Sequence, residues 1–300
     1  MDLSQLCNYL AESGRADKTV GGYLSDIELF SRWFLQTNGE ELAPQNLTPT
    51  DIREYRQYLL SVKKAKPATI NRQLSAIRAF ANWGKVIGVI SYSPAENIKS
   101  IAQQSQAPKW LDKKEQAALI REAEKRILTA KTEPAKRQAI RDHAILIVLL
   151  NAGLRVSELV GLELSDVSIM ERKGEIRVRA VKGKGMKERN VPLNDTARKA
   201  IKAWLTVRPD CNNKILFLTQ RGPTSTRAVQ SILENIGASA KVDHLTPHIA
   251  RHTFAKNLVN SGVSLEKVAM LLGHSSLDTT MIYTTPGFSD LDHAVRQLDN

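Results

Sequence analysis

Five short stretches carry side chains suited to holding an anion and moving a proton. In Gly153-Leu154-Arg155-Val156-Ser157-Glu158-Leu159, Arg155 falls at the turn between an apolar helix and the next one. There a guanidinium and a helix N-terminus can face the same anion. The stretch Lys182-Gly183-Lys184-Gly185-Met186-Lys187 reads as a hairpin turn whose flanking glycines let the Lys184 tip approach a ligand closely. His248 and Arg251 stand at i and i+3, on one helix face, and join a proton carrier to a fixed cation. His274 follows Leu271-Leu272-Gly273, where a helix ends, and Tyr283 stands nine residues further on. Taken singly, most read more readily as ordinary structure: a capped surface arginine, a solvated hairpin tip, a capping histidine, a core tyrosine.

The elements that must position these residues are mostly helical. Residues 1–98 read as helices. Thr48, Pro49 and Asp51 form a helix start, with Thr48 at N-cap and an acidic first turn. A later helix from Pro67 carries the apolar stripe Ile70, Leu74, Ile77 and Ala81. Arg72 lies on its other face, where it could reach a phosphate, and Lys66 and Arg78 join it as candidate DNA contacts. Residues 99–109 are polar and aperiodic and read as a linker. Asp112, with Glu115 three residues on, starts a charged helix over roughly 113–128. The Lys-, Thr- and Pro-rich run 129–140 reads as a loop or insertion, and His143–Leu150 as an apolar helix closed by Gly153. Ile176, Val178 and Ala180 alternate with Arg177 and Arg179, so 175–181 is a strand, and 187–193 is its antiparallel return. Helices resume after about 225.

Of the 300 residues, 43 are Lys or Arg and 31 Asp or Glu, a formal charge of +12 that favours a polyanionic partner. The charge is uneven. Residues 1–55 hold four basic and nine acidic side chains, and residues 56–99 hold eight basic and one acidic. Cys7 and Cys211 are too few and too far apart for a disulfide framework or a cysteine-rich zinc site. No apolar run is long enough to span a membrane, and the N-terminus lacks the pattern of a signal peptide, so a cytoplasmic location is expected.

Read in order, Arg155, Lys184, His248, Arg251, His274 and Tyr283 resemble the signature of the tyrosine recombinase (integrase) family. The resemblance covers about 110–290 and is most specific in 153–162, 248–254 and 271–283. Residues 1–98 are similar, with weaker motifs, to the family's core-binding domain. The implied fold is mainly α with a small antiparallel β-sheet. It has two domains, a helical core-binding domain (1–98) and, after the linker 99–109, a mixed α/β catalytic domain (110–300), that form a clamp around DNA. The implied activity is site-specific recombination through a covalent 3′-phosphotyrosine on Tyr283.

In that scheme Arg155 and Arg251 bind the non-bridging oxygens of the phosphate, and His274 and His248 add hydrogen bonds. Lys184 protonates the leaving 5′-oxygen, His248 accepts the proton of Tyr283, and Glu158 supports the site by orienting a cation. Lys182 and Lys187 join the DNA contacts. No metal and no cofactor is expected, because the arginines supply the charge and the phosphotyrosine retains the bond energy. Double-stranded core-site DNA and a homotetramer on two such sites are the expected partners, with the C-terminal tail as a helix exchanged between protomers. The long 128–142 stretch and the lack of an arm-binding domain suggest a simple integrase or resolvase of a mobile element, or a Xer-like enzyme. The alternatives are a type IB topoisomerase-like enzyme and a DNA-binding regulator without catalysis.

Overall fold

A computed structural model of the chain describes residues 3–102, 108–180, 188–274 and 276–284. They fall into two compact units divided between residues 102 and 108. Among the described residues most are helical, and the strands form small antiparallel sheets.

The first unit packs α1 (Ser4–Glu12), α2 (Asp17–Asn38), α3 (Pro49–Ser61) and α4 (Pro67–Val86) around one core. Helix α3 starts where the sequence predicts: Thr48 Oγ1 accepts from the Asp51 amide, and Asp51 accepts from the Thr48 amide in return. Helix α4 buries Ile70, Leu74, Ile77 and Ala81, as their spacing requires. Aromatic rings from α2 and α3 fill the space between them, with Phe30 and Trp33 against Tyr55 at centroid distances of 4.8 and 5.0 Å.

Two of the expected DNA contacts in this unit, Arg72 and Arg78, also have protein partners. Arg72 Nη1 lies 2.6 Å from the Asp26 carboxylate, whose side chain is 2% exposed. A buried carboxylate needs such a partner, so Arg72 is held by the fold although half of its side chain stays exposed. Arg78 donates to the Ile98 carbonyl and to Ser100. Lys66, at the start of α4, is exposed. The segment expected to be a linker is tied down at its beginning. Asn71 donates to the Ile101 carbonyl and accepts from its amide, and Arg56 donates to the Lys99 carbonyl.

The second unit is built on α6 (Glu133–Ala152), which packs against α5 (Lys113–Thr129) and α8 (Asp195–Val207). Every side chain from Ala144 to Leu150 is buried, so this helix is apolar all round and surrounded by neighbours. Each fully buried Leu or Ile there contributes about 1.5–3 kcal/mol of hydrophobic stabilisation. The loop expected over 129–140 is confined to a short break, because Thr132 caps α6 by accepting from the Ala135 amide and Pro134 fits the first turn. The Lys-rich run is largely the solvent-facing first half of the helix rather than a loop.

Strands β1 (Val167–Ile169), β2 (Gly174–Val178) and β3 (Arg189–Pro192) form an antiparallel sheet, with Ile176 opposite Val191 and Val178 opposite Arg189. The turn between β2 and β3, with Lys182, Lys184 and Lys187, lies outside the described residues. A short hairpin of β4 (Leu218–Thr219) and β5 (Gly222–Pro223) precedes α9 (Thr226–Ala240), α10 (Pro247–Asn260), α11 (Leu265–Leu272) and α12 (Asp278–Met281). Among the described residues no helix is long and apolar enough to cross a membrane.

Candidate active site

The site gathers where α6, α10 and α11 end or begin. Gly153 closes α6 in the left-handed conformation, at φ +59°, and the next turn presents Arg155. Arg155 precedes the short helix α7 (Val156–Val160), and Glu158 in that helix accepts from the Arg155 amide at 2.8 Å. The carboxylate of Glu158, 1% exposed, also accepts from the Arg155 guanidinium at 2.9 Å and lies 3.9 Å from that of Arg251.

A third guanidinium, that of Arg189 on β3, binds both oxygens of Glu158, at 3.1 and 2.9 Å. The sequence reading missed Arg189, yet its register carried a signal. Arg189, Val191 and Leu193 share one face of a strand, and the other two are buried core. An arginine at a core-facing position needs a carboxylate partner.

The same guanidiniums draw on the carbonyl end of α11. Arg189 donates to Leu271, Arg251 to Leu272, and Arg155 to Gly273 at 3.1 Å and more weakly to Leu272 at 3.4 Å. Arg251 also donates to the Gly153 carbonyl at 2.7 Å, which ties α10 to the end of α6. Helix carbonyl ends carry partial negative charge and suit cations. Gly273 turns the chain away at φ +65°, and a side-chain carbon there would meet Arg189 Nη1 at 2.8 Å. That close approach requires glycine.

His274 follows directly, and its Nδ1 lies 2.9 Å from the hydroxyl of Thr280, a fully buried residue. Tyr283 is 1% exposed and packs among Phe254, Ala255, Val268 and Leu272. Lys256, over the Trp110 ring at 4.9 Å, reaches the Tyr283 carbonyl at 3.4 Å. The ring that meets the Tyr283 hydroxyl belongs to His252, with Nδ1 at 2.8 Å. His248, expected to accept that proton, is exposed on the same helix. Neither Lys256 nor His252 was read from the sequence. The only hint was a run from Ala250 to Lys256 in which polar residues interrupt no apolar stripe.

Electrostatics follow from this packing. Burial opposes ionisation of Glu158, but the hydrogen bonds and charge of Arg189, with the amide and guanidinium of Arg155, outweigh it and hold the carboxyl below its ordinary range. Glu158 is therefore an anion at neutral pH. Burial and the Arg155 charge bring Arg251 down to about 10, which still leaves it cationic. One carboxylate among three guanidiniums leaves a net charge of +2 for an incoming anion. Burial, then Arg251, Arg155 and Arg189, push His274 down to about 4, so it is neutral. Burial, His248 and Arg251 lower His252 as well. Burial raises the Tyr283 hydroxyl, and the Arg251 and Arg155 charges oppose that rise. Among the described residues no group of three or more His, Cys, Asp or Glu side chains is placed to hold a metal ion.

The structure thus brings together Arg155, Glu158, Arg251, His274 and Tyr283 and adds Arg189 and His252. Lys184 lies outside the described residues.

Known proteins with the same pattern are numerous. The model of the phage integrase family matches residues 109–289, and that of the phage integrase N-terminal SAM-like domain matches residues 3–85. The tyrosine recombinase XerC of Corynebacterium glutamicum is 34% identical over 274 residues, which cover 90% of this chain and 82% of that protein. The tyrosine recombinase XerD of Vibrio cholerae is 33% identical over 283 residues, covering 91% and 87%. Among solved structures, XerH site-specific recombinase bound to a palindromic difH substrate matches with a TM-score of 0.75 at 20% identity, over 94% of this chain and 80% of that one.

Proposed function

Because the chain belongs to the phage integrase family and is a tyrosine site-specific recombinase, we propose that Tyr283 is the residue that cuts and rejoins DNA. The observation that carries this reading is the convergence of Arg155 and Arg251 on the α11 carbonyls beside His274, with the hydroxyl of Tyr283 near enough to feel both charges. Two guanidiniums suit the two non-bridging oxygens of a phosphodiester, and their charge answers the charge that grows on those oxygens during attack. His274, neutral and hydrogen-bonded to Thr280 through Nδ1, has its other ring nitrogen available for the same oxygens.

In the cleavage step the Tyr283 oxygen bonds to phosphorus, the 5′-oxygen leaves, and a 3′-phosphotyrosine forms. The phenol loses its proton to a base, and the leaving oxygen takes one from an acid, the part assigned to Lys184. Attack by a 5′-hydroxyl reverses both transfers and reseals the strand. The Arg155–Arg251 pair supplies the positive charge that the transition state needs, and the phosphotyrosine keeps the energy of the broken phosphodiester, so resealing asks for no nucleotide cofactor.

The partner is duplex DNA, and the reading extends to a homotetramer that pairs two core sites and exchanges C-terminal segments between protomers. The relatives named XerC and XerD favour a Xer-like setting; an integrase or resolvase of a mobile element is the other host context. The test is a nicked suicide substrate derived from the DNA flanking the coding region. Wild-type protein is expected to form an SDS-stable adduct, and Tyr283→Phe to bind the same DNA without one. Tyr283 is the sole tyrosine after Tyr92, so an adduct that survives this change would move the nucleophile to another residue type or to the N-terminal unit.

A further inference from the structure

The geometry points to Arg189 as a positioning residue of the strand-transfer site: by taking both oxygens of Glu158, it leaves Arg155 and Arg251 available to the scissile phosphate. This rests on the reading of Arg155 and Arg251 as the phosphate-binding pair.

Each of the three guanidinium nitrogens of Arg189 already donates to the protein. Nε donates to the Leu271 carbonyl at 2.9 Å, and Nη1 and Nη2 to Glu158 at 3.1 and 2.9 Å. Its side chain is 9% exposed, whereas that of Arg155 is 28% exposed and meets Glu158 through one nitrogen. Arg189 is therefore built to hold the carboxylate, whereas Arg155, which donates to Glu158 and to the Leu272 and Gly273 carbonyls through its two terminal nitrogens, keeps an exposed flank for an incoming anion. A fork that matches both carboxylate oxygens is available to arginine and not to lysine.

The consequence lies in how Glu158 divides its charge. Arg251 stays 3.9 Å from the nearer oxygen, too far for a good hydrogen bond, and its Nη1 and Nη2 donate instead to the Gly153 and Leu272 carbonyls. Without Arg189, each oxygen of this buried carboxylate would lose a charged donor, leaving Oε1 with the Arg155 guanidinium and Oε2 with the Arg155 amide. Arg251 would close the gap, and Arg155 would turn its second nitrogen inward. Both motions withdraw positive charge from the place where a phosphate would sit, and the loss of the Arg189 guanidinium itself takes the cluster from +2 to +1. Arg189 thus acts on the reaction through Glu158 without touching DNA.

The test is single-turnover adduct formation by the full chain on two suicide duplexes. One carries the natural phosphodiester at the cleavage point. The other carries a methylphosphonate, which lacks one non-bridging oxygen charge and so asks less of the arginine pair. Arg189→Gln is expected to slow adduct formation on the phosphodiester by about 100-fold, the scale of losing one charge-stabilising interaction. On the methylphosphonate the loss is expected to stay within about fivefold, and DNA affinity within about threefold, since no direct contact is removed. Arg189→Lys should recover only part of the rate. A general loss of structure would lower both rates alike, and equal losses on the two substrates overturn the proposal, as does an undiminished rate on the phosphodiester.

A second variant guards against misfolding. Glu158→Gln combined with Arg189→Gln removes the carboxylate together with its holder, so the double change should be no slower than Arg189→Gln. Losses that multiply would mean that the two residues act separately, contrary to the proposal. If wild-type protein forms no adduct on the phosphodiester, the reading of the whole site fails. If only the Arg189 variants behave like wild type, that reading stands and the positioning role falls.

Discussion

The hydroxyl of Tyr283 meets Nδ1 of His252, the residue directly after Arg251, at 2.8 Å, and the two rings pack at a tilt with centroids 5.5 Å apart. Burial and the nearby His248 and Arg251 lower the imidazole below its usual value, so it is neutral and can accept a proton. At rest the proton stays on the phenol, whose own pKa is raised by burial. Once the oxygen bonds to phosphorus, the phenol becomes a strong acid and the imidazole is the nearest base. His252→Gln keeps a hydrogen-bond acceptor but cannot take the proton. It is expected to lower single-turnover adduct formation by about 100-fold with DNA binding unchanged. An unaltered rate in that assay would return the role to His248.

Lys184→Ala is expected to cleave ordinary DNA about 100-fold more slowly or worse. Replacing the leaving 5′-oxygen with sulfur removes most of the need for an acid, because a thiolate leaves without a proton. Cleavage of that substrate by the variant should approach the wild-type rate. If it does not recover, the proton comes from another residue, with Lys187 next in sequence.

The ring of His274 predicts a pH dependence of stability. Its value in the folded chain is about 4, brought down first by burial and then by Arg251, Arg155 and Arg189, against about 6.5 when unfolded. Between these values the unfolded chain binds the extra proton, so stability rises with pH and falls as pH drops from about 6.5 towards 4. Lowered His252 acts in the same direction. Thermal melts of wild type and His274→Gln across that window should give a shallower slope for the variant. Parallel slopes would show that His274 does not carry the effect.

Arg72 predicts a change in stability. Its removal leaves the carboxylate of Asp26, 2% exposed, without its charge partner. Burial already raises the Asp26 pKa against the pull of Arg72, so part of the cost is met by protonation. Arg72→Ala is expected to destabilise the first unit by about 1–3 kcal/mol. Asp26→Asn in the same chain should restore part of that loss. Denaturant unfolding of wild type, Arg72→Ala, Asp26→Asn and the double variant measures the coupling, and a wild-type midpoint for Arg72→Ala would mean that the pair contributes nothing.

Much of this molecule is legible in its sequence where local chemistry decides the outcome. The Thr48–Asp51 and Asp112–Glu115 caps, the Ile70–Ala81 stripe and the return of β3 on β2 all rest on spacing within a few residues. The grouping of Arg155, Arg251, His274 and Tyr283 as one constellation rests instead on the resemblance of their order along the chain to the family's signature. What stayed hidden depends on pairing across long separations. Arg72 and Asp26 are 46 residues apart, Arg189 and Glu158 31, and His252 and Tyr283 31. No periodicity announces such a partner. The start of α6 was missed for a different reason: Lys and Thr around 129–140 suit a loop by composition, but one Thr132 cap and a proline in the first turn suffice to begin a helix.

Three arginines from separate parts of the chain lean on the carbonyls of a single turn, residues 271 to 273, at the end of an eight-residue helix. That gives the enzyme a mechanical fuse. Fraying of this one turn would release Arg155, Arg189 and Arg251 together, while the buried α6 core held. On warming, inactivation should therefore precede loss of helical circular dichroism. The amides of Gly273 and His274, which close the turn on Met270 and Ala269, should exchange with deuterium at the temperature where activity fails.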